Sequence, residues 1–347
     1  MSRFGVCPKK EDTLLNKTLP IALAGLLLSV SAAVAQDDTS LSLDTVNTAR
    51  LGTLLAQDDG AADERAEAEG PRPVIVRLQV LLDRAGASPG VIDGYDGENV
   101  RKAIAGLETL NGLNAGGELD DEVVGLLETD NPVLMGYTVT QDDADRIVDP
   151  LPDDYAELAK RDFLGFTSVA EELAERFHMD IDLLKALNPD TRFAVGEEIV
   201  VANPGDAREG KVARIEADKK AGQVRAYDES DRLIVAYPAT VGSRDNPSPQ
   251  GTHTVEAIAP EPNYTYRPDE NFKQGDNDEP LVLAPGPNNP VGSVWIDLSE
   301  PTFGIHGTPE PEHIGKTASH GCVRLTNWDA EELAAMVENG VTVDFVQ

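Results

Sequence analysis

The residues best suited to chemistry lie near the end of the chain. His306-Gly307-Thr308 is followed by Ser319-His320-Gly321-Cys322-Val323-Arg324, with His320 fourteen positions beyond His306. A thiol attacks well only as a thiolate, so a catalytic cysteine needs a neighbouring base or a positive field. Two nearby histidines can supply the base. Gly321 leaves room beside the sulfur for a substrate carbonyl to reach backbone N–H groups, which can hold the oxyanion of an acyl transfer. Arg324 can grip a substrate carboxylate through two parallel hydrogen bonds or help lower the thiol pKa. Spacing alone favours His320 as the base, because residues i and i+2 share a strand face.

Two blander readings compete. His306, His313, His320 and Cys322 are residue types that fit tetrahedral zinc, but their spacing is not a common zinc pattern. An inert buried cysteine is the other. His313 sits in a Pro-Glu-rich loop and reads as solvated, and His253 as structural.

The elements that position these groups form a mainly-β unit over 211–347. Val212, Arg214 and Glu216 begin a period-2 alternation continued by Val224-Arg225-Ala226-Tyr227 and Leu233-Ile234-Val235-Ala236-Tyr237, with a hairpin turn over Asp228–Asp231. One late helix, Trp328–Val337, is expected to be capped by Asn327 and stopped by Asn339-Gly340. Val341, Val343 and Phe345 close the chain as a strand.

Upstream, the sequence divides three times. Residues 1–35 carry Arg3, Lys9, Lys10 and Lys17, an apolar run from Leu19 to Val34, and a small-residue exit at Ala33-Val34-Ala35, the pattern of a cleavable secretory signal. The run is about 16 residues, short of the roughly 20 a spanning helix needs. Residues 36–73 are acidic and lack aromatics, so a flexible tether is expected. Helical spacing then runs through Val74, Leu78, Leu81 and Leu82, a Val91-Ile92-Asp93-Gly94 turn, a second helix through Val100 to Leu107, and a third apolar stretch, Val123–Leu127. Asp93–Glu98 lacks the residue order of a calcium loop. A second small unit over 137–205 reads strand, helix, helix, Asn188-Pro189, strand, with an acidic insertion after its first strand.

The 62 acidic residues against 29 basic give a net charge of −33, and no Lys/Arg cluster is present to neutralise phosphates, which argues against nucleic acid as a partner. The chain has two cysteines. Loss of the signal removes Cys7, so the mature chain holds one thiol and no disulfide framework.

The histidine and cysteine motifs together resemble the catalytic signature of the L,D-transpeptidases of the YkuD type. Asn246-Pro247-Ser248-Pro249-Gln250-Gly251-Thr252, Asn263-Tyr264-Thr265-Tyr266 and Gly286-Pro287-Asn288-Asn289-Pro290-Val291-Gly292 resemble further segments of that family. Leu78-Gln79 with the Val-Ile-Asp-Gly turn resembles the three-helix peptidoglycan-binding module over 74–130. The unit over 137–205 is similar to a LysM domain, without the usual Gly-Asp-Thr-Leu opening. The expected architecture is therefore multidomain: a mainly-β YkuD-like catalytic domain behind small α-helical and α+β modules.

The resemblance implies Cys322 as nucleophile and His306 as base, with the carbonyl of Gly307 orienting its ring, and His320 with Gly321 at the oxyanion site. It places Arg324, Ser319, Asn289, Tyr264 and Tyr266 at the substrate, the two tyrosines in a lid over the cleft. No cofactor or metal is implied. The implied reaction is attack on the third residue of a peptidoglycan tetrapeptide stem, release of D-alanine, and transfer to an amine, either of a neighbouring stem, giving a 3→3 cross-link, or of an outer-membrane lipoprotein. Glycan strands would bind the upstream modules, and the site of action would be periplasmic. The alternatives are an L,D-carboxypeptidase or cysteine endopeptidase using water, and a non-catalytic wall-binding protein.

Overall fold

Residues 40–56, 70–243, 246–269, 272–317 and 321–346 are described by the computed structural model; the expected signal segment and residues 57–69 of the expected tether lie outside them. Part of the tether is not a flexible chain. Helix α1 (Leu43–Thr48) starts at Ser42, whose hydroxyl accepts from the Thr45 amide, and a 3₁₀ turn follows over Leu51–Ala56. Two apolar anchors, Val46 and Leu51, are fully buried against the helical module. The Asn47 amide completes the attachment: its Oδ1 accepts from the Val133 and Leu134 amides, both at 2.8 Å, and buried Arg77 donates to its carbonyl. Low average apolarity hid a docking segment whose partners are remote in sequence.

The helical module comprises α2 (Pro73–Arg84), α3 (Glu98–Leu110) and α4 (Asp121–Leu127). Its Leu-Gln signature has a physical role. Gln79 is buried, and its side chain accepts from the Asp93 and Gly94 amides while donating to Asp93 Oδ1 at 2.7 Å. Asp93 is therefore committed to fixing its own turn.

The next unit pairs β1 (Leu134–Thr138) with β2 (Glu198–Ala202) antiparallel, and α7 (Val169–Arg176) and α8 (Ile181–Leu187) lie between them in sequence. Short helices α5 (Gln141–Asp145) and α6 (Tyr155–Leu158) belong to the stretch after β1. One hydrophobic cluster joins this unit to the helical module, with Leu78, Ile92, Leu173 and Leu184 all inside it. Ile92 exchanges backbone hydrogen bonds with His178 and Asp180 at 2.8 and 2.9 Å. The two upstream units thus share a core.

The C-terminal part is built on nine strands: β3 (Arg214–Asp218), β4 (Gln223–Tyr227), β5 (Leu233–Pro238), β6 (Thr240–Val241), β7 (Gly251–Pro260), β10 (Val294–Leu298), β11 (Gly304–His306), β12 (Val323–Arg324) and β13 (Thr342–Val346). A separate hairpin holds β8 (Tyr264–Tyr266) and β9 (Leu281–Leu283). The order of the large sheet is β5-β4-β3-β13-β7-β10-β11-β12-β6. Ten-residue β7 serves both halves: its first residues pair with β13 and the rest with β10. Only Ala239 separates β5 from β6, so the two ends of the sheet are joined and the sheet curls back on itself.

Helix α9 (Asn327–Met336) packs on the sheet through Leu333 and Met336. Its cap is Thr326, whose hydroxyl accepts from the Asp329 amide, and Asn327 lies within the first turn. The Asn327 side chain is engaged elsewhere, accepting from the Ser293 amide and donating to Glu175.

Edge strand β5 is covered by the helical module. Ser88 N–H donates to the Ala236 carbonyl and Ala236 N–H to that of Gly86, both at 2.9 Å. Covering an edge in this way removes a row of unpaired backbone groups.

Candidate active site

Strands β11 and β12 are parallel, with Ile305 opposite Val323 and His306 opposite Arg324. Side chains alternate along a strand, so Cys322 and Arg324 share the face that His306 presents from its neighbour. All three line one cleft of about 1330 Å³.

His306 is buried. Its Nδ1 lies 2.7 Å from the carbonyl oxygen of Gly307, and its ring stacks on Trp295 with centroids 5.3 Å apart. A carbonyl can only accept, so Nδ1 carries the proton and Nε2 keeps its lone pair. Burial, and next the positive charge of Arg324, push the His306 pKa down to about 4 against the weaker pull of the Gly307 and Val291 carbonyls. The imidazole is thus a neutral acceptor at ordinary pH.

Cys322 is partly buried, and its Sγ contacts the Thr302 carbonyl at 3.7 Å. Burial pushes the thiol pKa up, and the Gly304 amide and Arg324 pull it back in part. The resting pair is accordingly thiol and neutral imidazole, and proton transfer must accompany attack. Gly321 has φ +111°, and a Cβ there would come within 2.7 Å of Phe303. Glycine suits both the backbone angle and the space.

Arg324 lines the cleft, and its buried Nε has no hydrogen-bond partner among the described residues. Tyr264 also lines the cleft, and burial raises its hydroxyl pKa. Tyr266 does not. It is a fully buried residue of the hairpin itself, its ring packed edge-on against Tyr155 and Phe272 and its hydroxyl accepting from the Gln274 amide. Asn289 is likewise enclosed: its amide donates to the Ala284 carbonyl and its Oδ1 accepts from the Val291 amide. These two expectations are corrected. Both residues shape the walls from behind, because a buried side chain with satisfied partners has nothing left for a ligand.

Ser319 and His320 lie outside the described residues. His313 is half-exposed, its Nδ1 3.4 Å from a Glu310 carboxylate oxygen, and His253 packs edge-on against Phe345. Among the described residues no three His, Cys, Asp or Glu side chains are grouped as a metal site.

Other cleft residues had escaped the sequence reading. Trp295 supports His306, and Thr302 meets the sulfur. Tyr155, Leu151 and Asp153 come from the insertion after β1. Their only sequence signal is the presence of aromatic and leucine residues in a stretch otherwise acidic enough to be solvated.

Comparison with known proteins finds similarity over both the C-terminal part and the helical module. Residues 212–345 match the L,D-transpeptidase catalytic domain (YkuD), and residues 71–127 a peptidoglycan binding domain. A Bacillus licheniformis protein named as an L,D-transpeptidase (YkuD) is 30% identical over 177 residues, covering 50% of this chain and 90% of the relative. The Escherichia coli protein YbiS, also named as an L,D-transpeptidase, is 26% identical over 228 residues, covering 61% and 72%. Among solved structures, the L,D-transpeptidase from Mycobacterium smegmatis is similar with a TM-score of 0.33 and 18% identity, over 44% of this chain and 65% of that one.

Proposed function

The chain belongs to the L,D-transpeptidase (YkuD) family, and from that premise we propose that Cys322 is the nucleophile and His306 the base of a two-step acyl transfer on peptidoglycan stems. The observation that carries the assignment is the Nδ1–H to Gly307 carbonyl bond, which leaves Nε2 of a neutral, buried imidazole to take a proton in the cleft that Cys322 shares.

In the first step the Cys322 proton passes to His306 as Sγ attacks the carbonyl of the third stem residue. The amides of Gly321 and Cys322 hold the oxyanion, and His320 has the assisting role that the family resemblance implies. The peptide C–N bond then breaks, His306 returns the proton to the departing amine of D-alanine, and a thioester remains. In the second step an amine attacks the thioester, His306 takes a proton from it, and the thiolate leaves and is reprotonated. Arg324, which lines the cleft, binds a stem carboxylate through its guanidinium. The acceptor is an amine of a neighbouring stem, giving a 3→3 cross-link; a lipoprotein lysine would be served by the same chemistry. Tyr264 contacts the stem from the hairpin side and Ser319 from the segment before Cys322.

The remaining proposals concern placement. Residues 1–35 act as an export signal to the periplasm, the module over 74–130 holds the enzyme on the wall, and the unit over 137–205 is a LysM-like partner for glycan. No described helix is long and apolar enough to cross a membrane.

The test is purified protein with disaccharide tetrapeptide, read by mass spectrometry. Release of D-alanine with formation of a 3→3 dimer is expected, and both should vanish in Cys322→Ala. Release that survives Cys322→Ala would end this mechanism. Tripeptide without dimer would make water the acceptor.

A further inference from the structure

The acidic insertion that follows β1 is built like a wall. Helix α6 is started by Asp154, whose carboxylate accepts from the Ala156 and Glu157 amides at 2.9 and 3.1 Å. Leu158 and Leu164 are buried against Leu283 of β9 in a small core of their own, with Tyr264 and Leu281 packed on it. Tyr155 stands at the centre. Its ring meets those of Tyr264, Tyr266 and Phe272 edge-on, at centroid distances of 6.3, 5.3 and 6.0 Å. Such pairs contribute roughly 0.5–1.5 kcal/mol each beyond the area they bury.

Backbone bonds fasten the same contact. Leu164 N–H donates to the Pro285 carbonyl at 2.8 Å, and Asn288 N–H donates to that of Leu164 at 3.0 Å. Gln274 reaches across from the hairpin side, accepting from the Tyr155 amide at 3.2 Å and donating to the Asp153 carbonyl at 2.8 Å. Gly286, with φ +139°, lets the chain pass so close to the Leu164 carbonyl that any Cβ would collide with it. A two-stranded hairpin is marginal on its own, and the β8–β9 pair obtains its packing from this insertion.

The same residues face the reaction. Tyr155, Leu151 and Asp153 line the cleft together with Cys322, His306 and Arg324. We propose that the insertion over 150–166 is a fixed wall of the catalytic cleft, that it holds the β8–β9 hairpin in place beside Cys322, and that Tyr155 is the positioning residue at its centre. The upstream unit is therefore part of the active site, and stem peptides are received by a cleft that two units complete.

The test uses the full chain. In the unaltered protein the amides of Tyr266 and Leu283, both buried in the hairpin, should be protected from hydrogen exchange; free exchange there would overturn the proposal without any variant. Tyr155→Ala should accelerate that exchange and lower kcat/KM for D-alanine release at least tenfold, chiefly through KM. Alkylation of Cys322 by iodoacetamide, read by peptide mass, should stay as fast or become faster. Tyr155→Phe keeps the ring and should stay within twofold in every measurement. The proposal fails if Tyr155→Ala stays within twofold, if Tyr155→Phe falls as far as Tyr155→Ala, or if alkylation drops in step with turnover. The exchange result is independent of the reaction: protection with no D-alanine release from the unaltered chain would reject the enzymatic assignment and leave the wall standing.

Discussion

Two histidines in this molecule lie flat against a tryptophan, and their protonation is driven in opposite directions. His306 stacks on Trp295 in the cleft, and His178 on Trp328 where the upstream units meet α9, with centroids 5.2 Å apart. Burial pushes both pKa values down. At His306 nothing opposes it strongly and Arg324 adds to it, giving about 4. At His178 the charge and hydrogen bond of Asp83, at 2.8 Å, with Asp329 and Glu332 behind it, outweigh burial and raise the pKa. The ring environment is alike and the nearest charge differs. A cation nearby keeps an imidazole neutral and able to accept; a carboxylate keeps it charged and makes it a clasp.

The contrast can be broken at several points. The largest effect is expected from His306→Gln, which should lower D-alanine release by about 10²–10⁴-fold, in line with loss of a general base. His178→Gln should leave turnover within a few-fold, and equal damage by both would erase the distinction drawn above.

Next in size is stability. Asp83→Asn leaves His178 without its charge partner in a place only a quarter exposed on the histidine side. Breaking a fully buried pair costs about 3–5 kcal/mol, and partial exposure should reduce this to about 1–3 kcal/mol in a urea titration. A loss below the error of the titration would show that the clasp is ornamental to the fold.

The pH dependence should then carry opposite signs. His178 has a folded pKa above its unfolded value of about 6.5, so its stabilisation is full below that value and is lost as pH rises through the folded pKa. His306 has a folded pKa near 4, so its effect on stability is favourable above about 6.5 and is lost as pH falls toward 4. Subtracting the stability profile of each Gln variant from that of the unaltered chain should give one curve falling with pH and one rising. Two curves of the same slope would refute the assignment.

The smallest shift should come from Arg324→Gln. Removing the guanidinium should raise the His306 pKa from about 4 part of the way toward the ordinary histidine value, since burial, the larger cause, remains. Ring-proton NMR titration would measure it, and an unmoved titration would show that Arg324 does not act on His306.

The chemistry of the cleft was far more legible in sequence than its walls. Cys322, His306, Gly321 and Arg324 are close in the chain and unusual in type, so spacing exposes them. Tyr266 and Asn289 sit in motif segments just as distinctive, yet a motif does not say which side chains face inward, and both are buried behind the cleft surface. Tyr155 was invisible because its partners are more than a hundred residues away. For the same reason α1 was mistaken for tether: Val46 and Leu51 fold onto a surface that only tertiary structure provides. The β domain was legible strand by strand through period-2 alternation, whereas the closing of its sheet through Ala239 rests on non-local pairing.

That single-residue join sets the mechanics of the molecule. Ala236 of β5 is hydrogen-bonded to the helical module through Gly86 and Ser88, and five residues later Val241 of β6 pairs with Val323, the residue next to Cys322. Gly242 N–H reaches the Cys322 carbonyl at 3.5 Å. Five residues of extended chain span at most about 17 Å. Tension applied to the helical module therefore has a short covalent route to the strand beside the thiol, and a force probe pulling on that module is expected to load the catalytic strand before it unfolds the rest of the sheet.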